Sequence, residues 1–585
     1  MSSISSSAAS PAVPPSAAEV QALVSGLTQP GAPFELEELE VQGRRVKAYR
    51  RAPASLAEVL QQARAHGAKE FMAYEGVRWS YDDFFKAADA LAHWMQTEAG
   101  LHKGARVAIA MRNRPEWAVA FAAAILVGGV PAPLNSFGLR DELCSAINDL
   151  EPALLICDAE RFERLSGPGG SASCRTVVLQ ERAAAATHGG AGAQADFTPW
   201  DQAMAHLGSH AQEVWPDPDE AALLLSTSGS TSHPKWVLST HRSVCQALMN
   251  IDFIGAMSAM GSPKIIAALM ARGLAPATLT AVPLFHVSGL HAQLLTTLRN
   301  GRRLVFMHRW NASQALETIR QERITQFNGA PAMVMQLLEE AGADPASQAP
   351  TLAAIGFGGA GLPQRLIDRV QACFGESMSG TGFGLTETNG VGTAISGAWF
   401  MARPRSSGLR SPLMEIQIRD EEGRDLPAGT PGEVWLRGVT LMQGYWRQPE
   451  ATAQALVDGA FRTGDVGYLD DAGFLYIVDR IKDVINRSGE KIAAAEIESC
   501  LSECGSIQES AVVAVPDART GEAVVAIVVP REGCTLDEEQ VKAHVASRLA
   551  PYKVPAKVIV RPQALPRNPT GKLVKRRLRE EYALL

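Results

Sequence analysis

LLLSTSGSTSHPKWV, residues 223–237, is an apolar, strand-like run that opens into small hydroxyl residues, one glycine and a lysine. Such a loop offers hydroxyls and unpaired backbone N–H groups to phosphate oxygens, and Lys235 adds a mobile positive charge. In chemical terms it is a phosphate cradle. It is not a Walker A loop, because GxxxxGK[ST] has no match in the chain. Ser232 and Lys235 also spell S-x-x-K, but Pro234 disfavours the helical turn that would bring them together, and neither SDN nor KTG occurs. By composition alone the same letters make an ordinary polar linker, so their meaning depends on the surrounding chain.

That chain alternates β-branched runs with helical patterns, which argues for an α/β domain on largely parallel strands. Strands are predicted at residues 106–110, 130–134, 153–157, 280–283, 303–307, 326–329 and 353–357, with helices at 115–127, 313–322 and 332–340. From Met414 the texture changes. EIQIRDEEGRDLPAGTPGEVWLRG alternates apolar and polar residues around two turn sequences and predicts an antiparallel, β-rich subdomain. After Val478 it changes again, to a helix near 493–502, strands at 510–515 and 523–529, a helix at 536–549 and a strand at 557–560. That is an α+β unit of ordinary small-domain size.

The expected fold class is therefore α/β. A large N-terminal domain of α/β sheets with the β-rich subdomain spans 21–480, and a small, mobile α+β C-terminal domain spans 481–585 with its hinge near residue 482. Residues 1–20, rich in Ser, Ala and Pro, are expected to be a disordered tail, and the Gly/Ala/Ser-rich stretch 166–197 a surface loop.

Composition narrows the function. Among 585 residues, 46% are hydrophobic and 20% charged, as in ordinary globular proteins. With 55 basic against 62 acidic side chains the net charge is −7, which gives no footprint for broad nucleic-acid or anionic-membrane binding. An anionic ligand must be held by a local site. The eight cysteines include no CxxC pair, so neither a zinc ribbon nor a redox dithiol is supported. Residues 117–134 run without a charge, near the lower limit for a spanning helix, but Gly128, Gly129, Pro131 and Pro133 break the run. A buried helix entering a buried strand is the reading. The first residues lack a basic region and an unbroken apolar core, so a cytoplasmic protein without an integral membrane span is expected.

GFGGAG at 356–361 satisfies G-x-G-x-x-G, with Glu376 about 20 residues on, but its place deep in the chain argues against a dinucleotide fingerprint and a dehydrogenase. Four other segments carry more. TGFGLTE at 381–387 sets an aromatic, a hydroxyl and a carboxylate close together; FRTGD at 461–465 ends in an acid; DRIKD at 479–483 leads into RSGEK at 487–491; and RNPTGK ends at Lys572. With the hydroxyl-rich loop, these resemble in order and spacing the adenylate-forming superfamily of acyl-CoA synthetases, luciferases and the adenylation domains of peptide synthetases. The resemblance runs from about Trp79 to Lys572 and is nearest to fatty-acid-type CoA ligases.

The resemblance implies roles residue by residue. Thr227, Ser228, Gly229, Ser230, Thr231 and Lys235 would hold the ATP phosphates, and Gly359, Ala360 and Gly361 would form the wall beside the adenine. Phe383, followed by Gly384, would stack on the purine. Thr386 would contact the α-phosphate, Glu387 would hold Mg²⁺, and Asp465 with Arg480 would grip the ribose hydroxyls. Lys482 matches the hinge, Gly489 the loop presented to the thiol tunnel, and Lys572 the lysine that serves adenylation. His286, in PLFHVSGL, borders the acyl pocket. ATP, Mg²⁺ and coenzyme A are the cofactors and co-substrates so implied.

The chemistry explains the residue types. A carboxylate resists a thiol because its carbon is electron-rich and oxide is a poor leaving group, so the acid is first joined to AMP with loss of pyrophosphate. Charge builds at the α-phosphorus, where Mg²⁺ and the Lys572 cation would offset it. The mixed anhydride then needs shelter from water and a second nucleophile. A C-terminal domain rotating about Lys482 would present Lys572 first and Gly489 afterwards.

The chain departs from the family pattern at Ser232 and Trp236, where glycine is usual, and tryptophan adds bulk where glycine permits close backbone approach. Asp479 replaces a glycine before Arg480, and Ala494 stands where proline is common. Amino-acid-activating relatives carry aspartate at the position of His286, so an α-amino acid is not expected. Phe285, Val287, Leu290, Asn328, Gly329, Ala330, Phe357 and Gly358 make a small, largely apolar neighbourhood suited to an aliphatic or aryl acid. The expected function is an ATP-dependent acyl-CoA synthetase acting on a fatty or other apolar acid, whose partners are that acid, ATP and CoA, with no nucleic acid. Loading of a carrier-protein phosphopantetheine and non-catalytic nucleotide binding are the alternatives.

Overall fold

The computed structural model describes residues 15–166, 174–180, 197–227, 235–358, 362, 364–374, 377–517, 519–568 and 572–582. Short runs of Val, Ile, Leu and Ala build a five-stranded, all-parallel sheet in the order Val130–Pro133, Arg106–Ala110, Leu154–Asp158, Arg175–Leu179, Thr198–Pro199. Every residue of Leu154–Asp158 is buried, as a parallel strand covered on both faces requires. Helix Pro115–Leu126 buries all of its residues except Glu116. The uncharged stretch is thus a core helix running into a core strand, and among the described residues no single helix is long and apolar enough to cross a membrane.

Strand Arg175–Leu179 corrects the expectation of a surface loop over 166–197. Its β-branched centre is buried and pairs in parallel with Leu154–Asp158 along its whole length. The flanking Gly/Ala/Ser composition hid five residues whose partner strand supplies the stability. The disorder expected over 1–20 is corrected at its end: Ala17–Thr28 is a helix, opened by a capping box in which Ser16 accepts from the Glu19 N–H and the Glu19 carboxylate accepts from the Ser16 N–H, while residues 1–14 lie outside the described residues.

The larger sheet runs Met414–Arg419, Gly432–Gly438, Ala460–Leu469, Phe474–Arg480, Gly408–Arg410, Thr393–Ser396, Gly380–Phe383, Ala354–Phe357, Gln326–Gly329, Ala277–Thr280, Arg303–Phe306, Glu70–Tyr74, Val77–Ser80. Pairing is parallel from Gly380–Phe383 to Glu70–Tyr74 and antiparallel outside that block. The β-rich subdomain is therefore an extension of the α/β sheet rather than a separate layer. The strand expected at 280–283 ends at Thr280 and begins at Ala277, which frees 281–283 as a loop leading to His286.

Beyond Arg480 a single 3₁₀ turn, Ile481–Asp483, enters the C-terminal unit. Its hairpin Val484–Arg487 and Glu490–Ala493 joins a sheet with Gly521–Pro530, Ile507–Asp517 and Lys557–Val560. Helices Ala494–Ser502 and Glu538–Ala546 cover it through Ile497, Leu501, Val541 and Val545.

Candidate active site

Strands Ala221–Thr227 and Lys235–Thr240 pair antiparallel with Thr227 opposite Lys235. Ser228, Gly229, Ser230, Thr231 and Ser232 lie outside the described residues, as do Gly359, Ala360 and Gly361. Strand alternation decides what Trp236 does. Its side chain is 3% exposed and sits in the core with Leu224, Leu143 and Val130, on the face opposite Lys235. The Lys235 ammonium lies 4.7 Å from the centroid of the Tyr445 ring. Tryptophan in place of glycine therefore adds to the core rather than standing beside Lys235.

Strand Gly380–Phe383 ends in a 3₁₀ turn, Thr386–Thr388, that carries Glu387 into the interior. Gly384 is required here, because a Cβ on it would stand 2.3 Å from the Gly390 carbonyl oxygen where the chain doubles back. Asn389 closes the turn at φ 53° and is locked from three sides. Its amide donates to the Thr440 carbonyl at 3.0 Å and to Ser243 Oγ at 3.3 Å, and its Oδ1 faces His291 Nε2 at 3.2 Å. Burial holds His291 down to about 4, so the ring is neutral and Nε2–H is the donor.

Glu387 is 9% exposed, its carbonyl accepts from the Met442 N–H at 2.7 Å, and its Oε1 accepts from the Tyr445 hydroxyl at 2.8 Å. Burial pushes the carboxyl up; its own backbone hydrogen bond, Tyr445 and the charges of Lys235 and Arg480 oppose that rise. Tyr445 was not singled out by the sequence. It lies 58 residues from Glu387 in a GYW stretch, and only the pairing of Gly444–Tyr445 with Val237–Leu238 brings it there. Phe383 is half-buried against Val391 and Met414, and Thr386 is half-buried at the start of the turn.

Asp465 and Arg480 are cross-strand partners joined at 3.2 Å, Arg480 Nε to Asp465 Oδ1. Asp465 is 4% exposed, and burial raises its carboxyl against the pull of Arg480, Lys572 and Lys482. Lys572 reaches the same place from the C-terminal unit. Its N–H donates to Asn568 Oδ1 at 2.9 Å and its carbonyl accepts from the Asn568 N–H at 2.8 Å, which fixes the backbone that carries it. Burial and Arg480 lower its pKa, while Asp465 and Glu387 favour its cation. Burial and the charge of Lys572 hold His286 down to about 3. Lys572 thus feels the charges of Glu387, Asp465 and Arg480, and its own charge reaches the neutral ring of His286.

Lys482 stands at the edge of that cluster, near enough for its charge to reach Asp465 and Arg480, while Gly489 is outside it. Lys482 is exposed in the 3₁₀ turn, where its carbonyl accepts from Arg579 at 3.0 Å while Arg579 also pairs with Asp483. Gly489 follows Ser488 in a two-residue turn with φ 89° and 54°, and a Cβ there meets nothing within 4 Å. Asp479, which stands where glycine is usual, bridges from strand Phe474–Arg480 to the C-terminal unit. Its Oδ2 accepts from the Ala495 N–H at 3.1 Å, at the start of helix Ala494–Ser502.

Among the described residues no group of three or more His, Cys, Asp or Glu side chains is placed to hold a metal ion. A lone buried carboxylate such as Glu387 suits an ion that arrives with phosphate oxygens as its other ligands.

The AMP-binding enzyme family matches residues 59–446 and the AMP-binding enzyme C-terminal domain matches residues 496–572. The chain is 32% identical over 519 residues to a long-chain-fatty-acid–CoA ligase of Mycobacterium tuberculosis, covering 87% of this chain and 94% of that one. It is 30% identical over 489 residues to 4-coumarate–CoA ligase-like 6 of Arabidopsis thaliana, 82% of each chain. Among solved structures, ATP-bound MatB from Rhodopseudomonas palustris superposes with a TM-score of 0.77 at 27% identity, over 90% of this chain and 99% of that one. With both parts matched in order and the site residues gathered about Glu387 and Lys572, the chain belongs to the AMP-binding enzyme family.

Proposed function

We propose that the protein is an ATP-dependent acyl-CoA synthetase, an AMP-forming acid–thiol ligase. The observation that carries this reading is the meeting of Lys572, from beyond the hinge, with Glu387, Asp465 and Arg480. In the first step a carboxylate oxygen of the acid bonds to the α-phosphorus of ATP and the bond to pyrophosphate breaks. Lys572 holds its proton and supplies a cation to the developing charge, and Asp465 and Arg480 orient the ribose. Glu387 would hold Mg²⁺ together with the nucleotide phosphates, and the ion, when bound, offsets phosphate charge. In the second step the sulfur of CoA bonds to the acyl carbon, the carbon–oxygen bond to AMP breaks, and the thiol proton is released.

For that step the C-terminal unit turns about Lys482 and brings Gly489 to the site in place of Lys572. The acid enters beside His286, whose neighbours Phe285, Val287, Gly329, Ala330 and Phe357 are apolar or small and favour an apolar chain or ring at its reacting end. The names of the relatives, long-chain-fatty-acid and 4-coumarate ligases, point the same way. Acid-dependent exchange of labelled pyrophosphate into ATP, followed by thioester formation with free CoA, tests the function. Exchange without transfer to CoA, but with transfer to a carrier-protein phosphopantetheine, would replace the acceptor.

A further inference from the structure

The C-terminal helix Lys575–Tyr582 starts three residues after Lys572 and is held to its own unit at both ends. Lys575 pairs at 2.8 Å with Glu498, whose Oε1 also accepts from the Val512 N–H at 2.7 Å, and Arg561 pairs with Glu581 at 3.2 Å. Between them Leu578 is fully buried beside Val513, Val515 and Ile527 of the sheet. Lys572 is tied to the same helix through its backbone. In addition to the two hydrogen bonds between Lys572 and Asn568, the Val574 N–H donates to the Pro566 carbonyl at 2.8 Å and Leu573 bridges to Arg567, so the segment carrying Lys572 runs straight into Lys575.

Arg579 lies one turn beyond Lys575, on the same helix face. Its Nη2 donates to the Lys482 carbonyl at 3.0 Å and pairs with the Asp483 carboxylate. Both acceptors lie beyond the Lys482 Cα. A change in the Lys482 backbone torsions therefore carries its carbonyl, Asp483, Arg579 and the rest of the unit together, and the grip of Arg579 survives the motion. On the other side, strand Phe474–Arg480 is paired with Ala460–Leu469 as far as Arg480 opposite Asp465. Between these two fixed edges lie Ile481 and Lys482, and Ile481 is 48% exposed. Without Arg579 the movable stretch would run on through Asp483 to Val484, where the next hairpin starts.

We propose that Arg579 is a positioning residue: by tying the Lys482 carbonyl and the Asp483 carboxylate to the helix that follows Lys572, it ends the hinge at Lys482 and fixes the path from the hinge to Lys572. A shorter hinge has fewer soft torsions, so the swing returns Lys572 to the site in a narrower range of positions. Narrow placement matters for a cation that must meet charge developing at the α-phosphorus. Lysine at this position would keep the charge without the planar, many-donor head that serves a carbonyl and a carboxylate together. The inference rests on the acyl-CoA synthetase reading and adds to it the residue that sets how sharply the C-terminal unit turns.

The test is Arg579→Gln in the full chain, followed by acid-dependent pyrophosphate exchange and by hydrogen exchange read peptide by peptide. The kcat of pyrophosphate exchange should fall by about tenfold or more, because a displacement of about 1 Å at a reacting group can cost about a hundredfold, while KM for ATP and for the acid should hold within about twofold. Arg579→Lys should recover part of the lost kcat. Amide hydrogens at 481–484 should exchange faster in Arg579→Gln, with strands Ile507–Asp517 and Gly521–Pro530 unchanged. Asp483→Asn removes the ion pair and leaves Arg579 its carbonyl acceptor, so it should lower kcat in the same sense by a smaller factor; if Arg579→Gln does not fold, full kcat in Asp483→Asn overturns the proposal. A loss of kcat in Arg579→Gln with equally faster exchange across both strands makes Arg579 a packing residue and also overturns it. An active chain in which Arg579→Gln keeps full kcat overturns this proposal alone, whereas no exchange by the unaltered chain with any acid overturns both readings.

Discussion

The Tyr445 hydroxyl donates to Glu387 Oε1 at 2.8 Å, while the ammonium of Lys235 lies over the same tyrosine ring. One aromatic side chain therefore joins Lys235, at the start of strand Lys235–Thr240, to the buried carboxylate of Glu387. It fixes which Glu387 oxygen remains available to an incoming cation and nucleotide.

Tyr445→Phe should keep the fold and lose that constraint. A hydrogen bond to a charged group is worth about 1.5–3 kcal/mol, so kcat/KM for ATP in pyrophosphate exchange should fall by about tenfold or more, with a raised requirement for Mg²⁺. An unchanged Mg²⁺ dependence would remove Tyr445 from this role.

Lys572→Ala should abolish acid-dependent pyrophosphate exchange while the protein still converts chemically supplied acyl-AMP and CoA to acyl-CoA. The split follows from its place among Glu387, Asp465 and Arg480 in the present arrangement, in which Gly489 is exposed at a hairpin tip. Full-rate exchange by this variant would end the assignment.

The pH profile of exchange should be narrow. Glu387 and Asp465 act as carboxylates and burial raises both, so activity is lost on acidification sooner than for ordinary carboxylates. Lys572 acts as a cation and burial lowers it, so activity is also lost on the alkaline side sooner than for an ordinary lysine. Lys572→Arg should move the alkaline limb upward and leave the acid limb in place, as plots of kcat/KM against pH would show.

Buried His241, held down to about 4, makes stability depend on pH with the opposite sign to a paired histidine. Below about 6.5 the unfolded chain takes up a proton that the folded one refuses until about 4, so stability is full above that window and falls through it by about 1.4 kcal/mol per pH unit. His241 Nδ1 accepts from the Leu56 N–H at 3.2 Å, so His241→Asn offers a similar acceptor without the titration. Urea unfolding of this variant should show a slope shallower by that amount, and parallel slopes would contradict the assignment.

Asp479 ties the end of strand Phe474–Arg480 to the C-terminal unit. Its carboxylate reaches across the Ile481–Asp483 turn to the Ala495 N–H and acts as the helix cap that Ala493 does not provide. Removing a cap of about 1 kcal/mol in Asp479→Gly should slow exchange about fivefold and speed proteolysis at 481–483, with the thioester step from acyl-AMP preserved. Equal proteolysis rates would show that the bond does not hold the domains together.

Much of this protein was legible in its sequence, because the signals are local. Apolar runs of strand length located Arg106–Ala110, Gln326–Gly329 and Lys557–Val560 to within a residue or two, and the change of texture after Val478 marked the second unit. The order of the motifs from the hydroxyl-rich loop to Lys572 determined the family, since each motif is a short segment whose chemistry needs those side chains in that spacing. What the chain could not decide alone are the matters fixed by pairing between distant segments. The sequence made Trp236 an obstacle in the loop, and strand alternation turned it into the core. Trp236→Gly should therefore cost at least about 3 kcal/mol and lower Tm rather than free the loop. The five residues of Arg175–Leu179 became a strand only beside Leu154–Asp158. Tyr445 met Glu387 and Asp479 met Ala495 through contacts between segments that are not neighbours in the chain. Local propensity and motif chemistry are written into neighbouring residues. Which face a strand turns inward, and which separated side chains meet, depends on register and burial, and those exist only once the whole chain has packed.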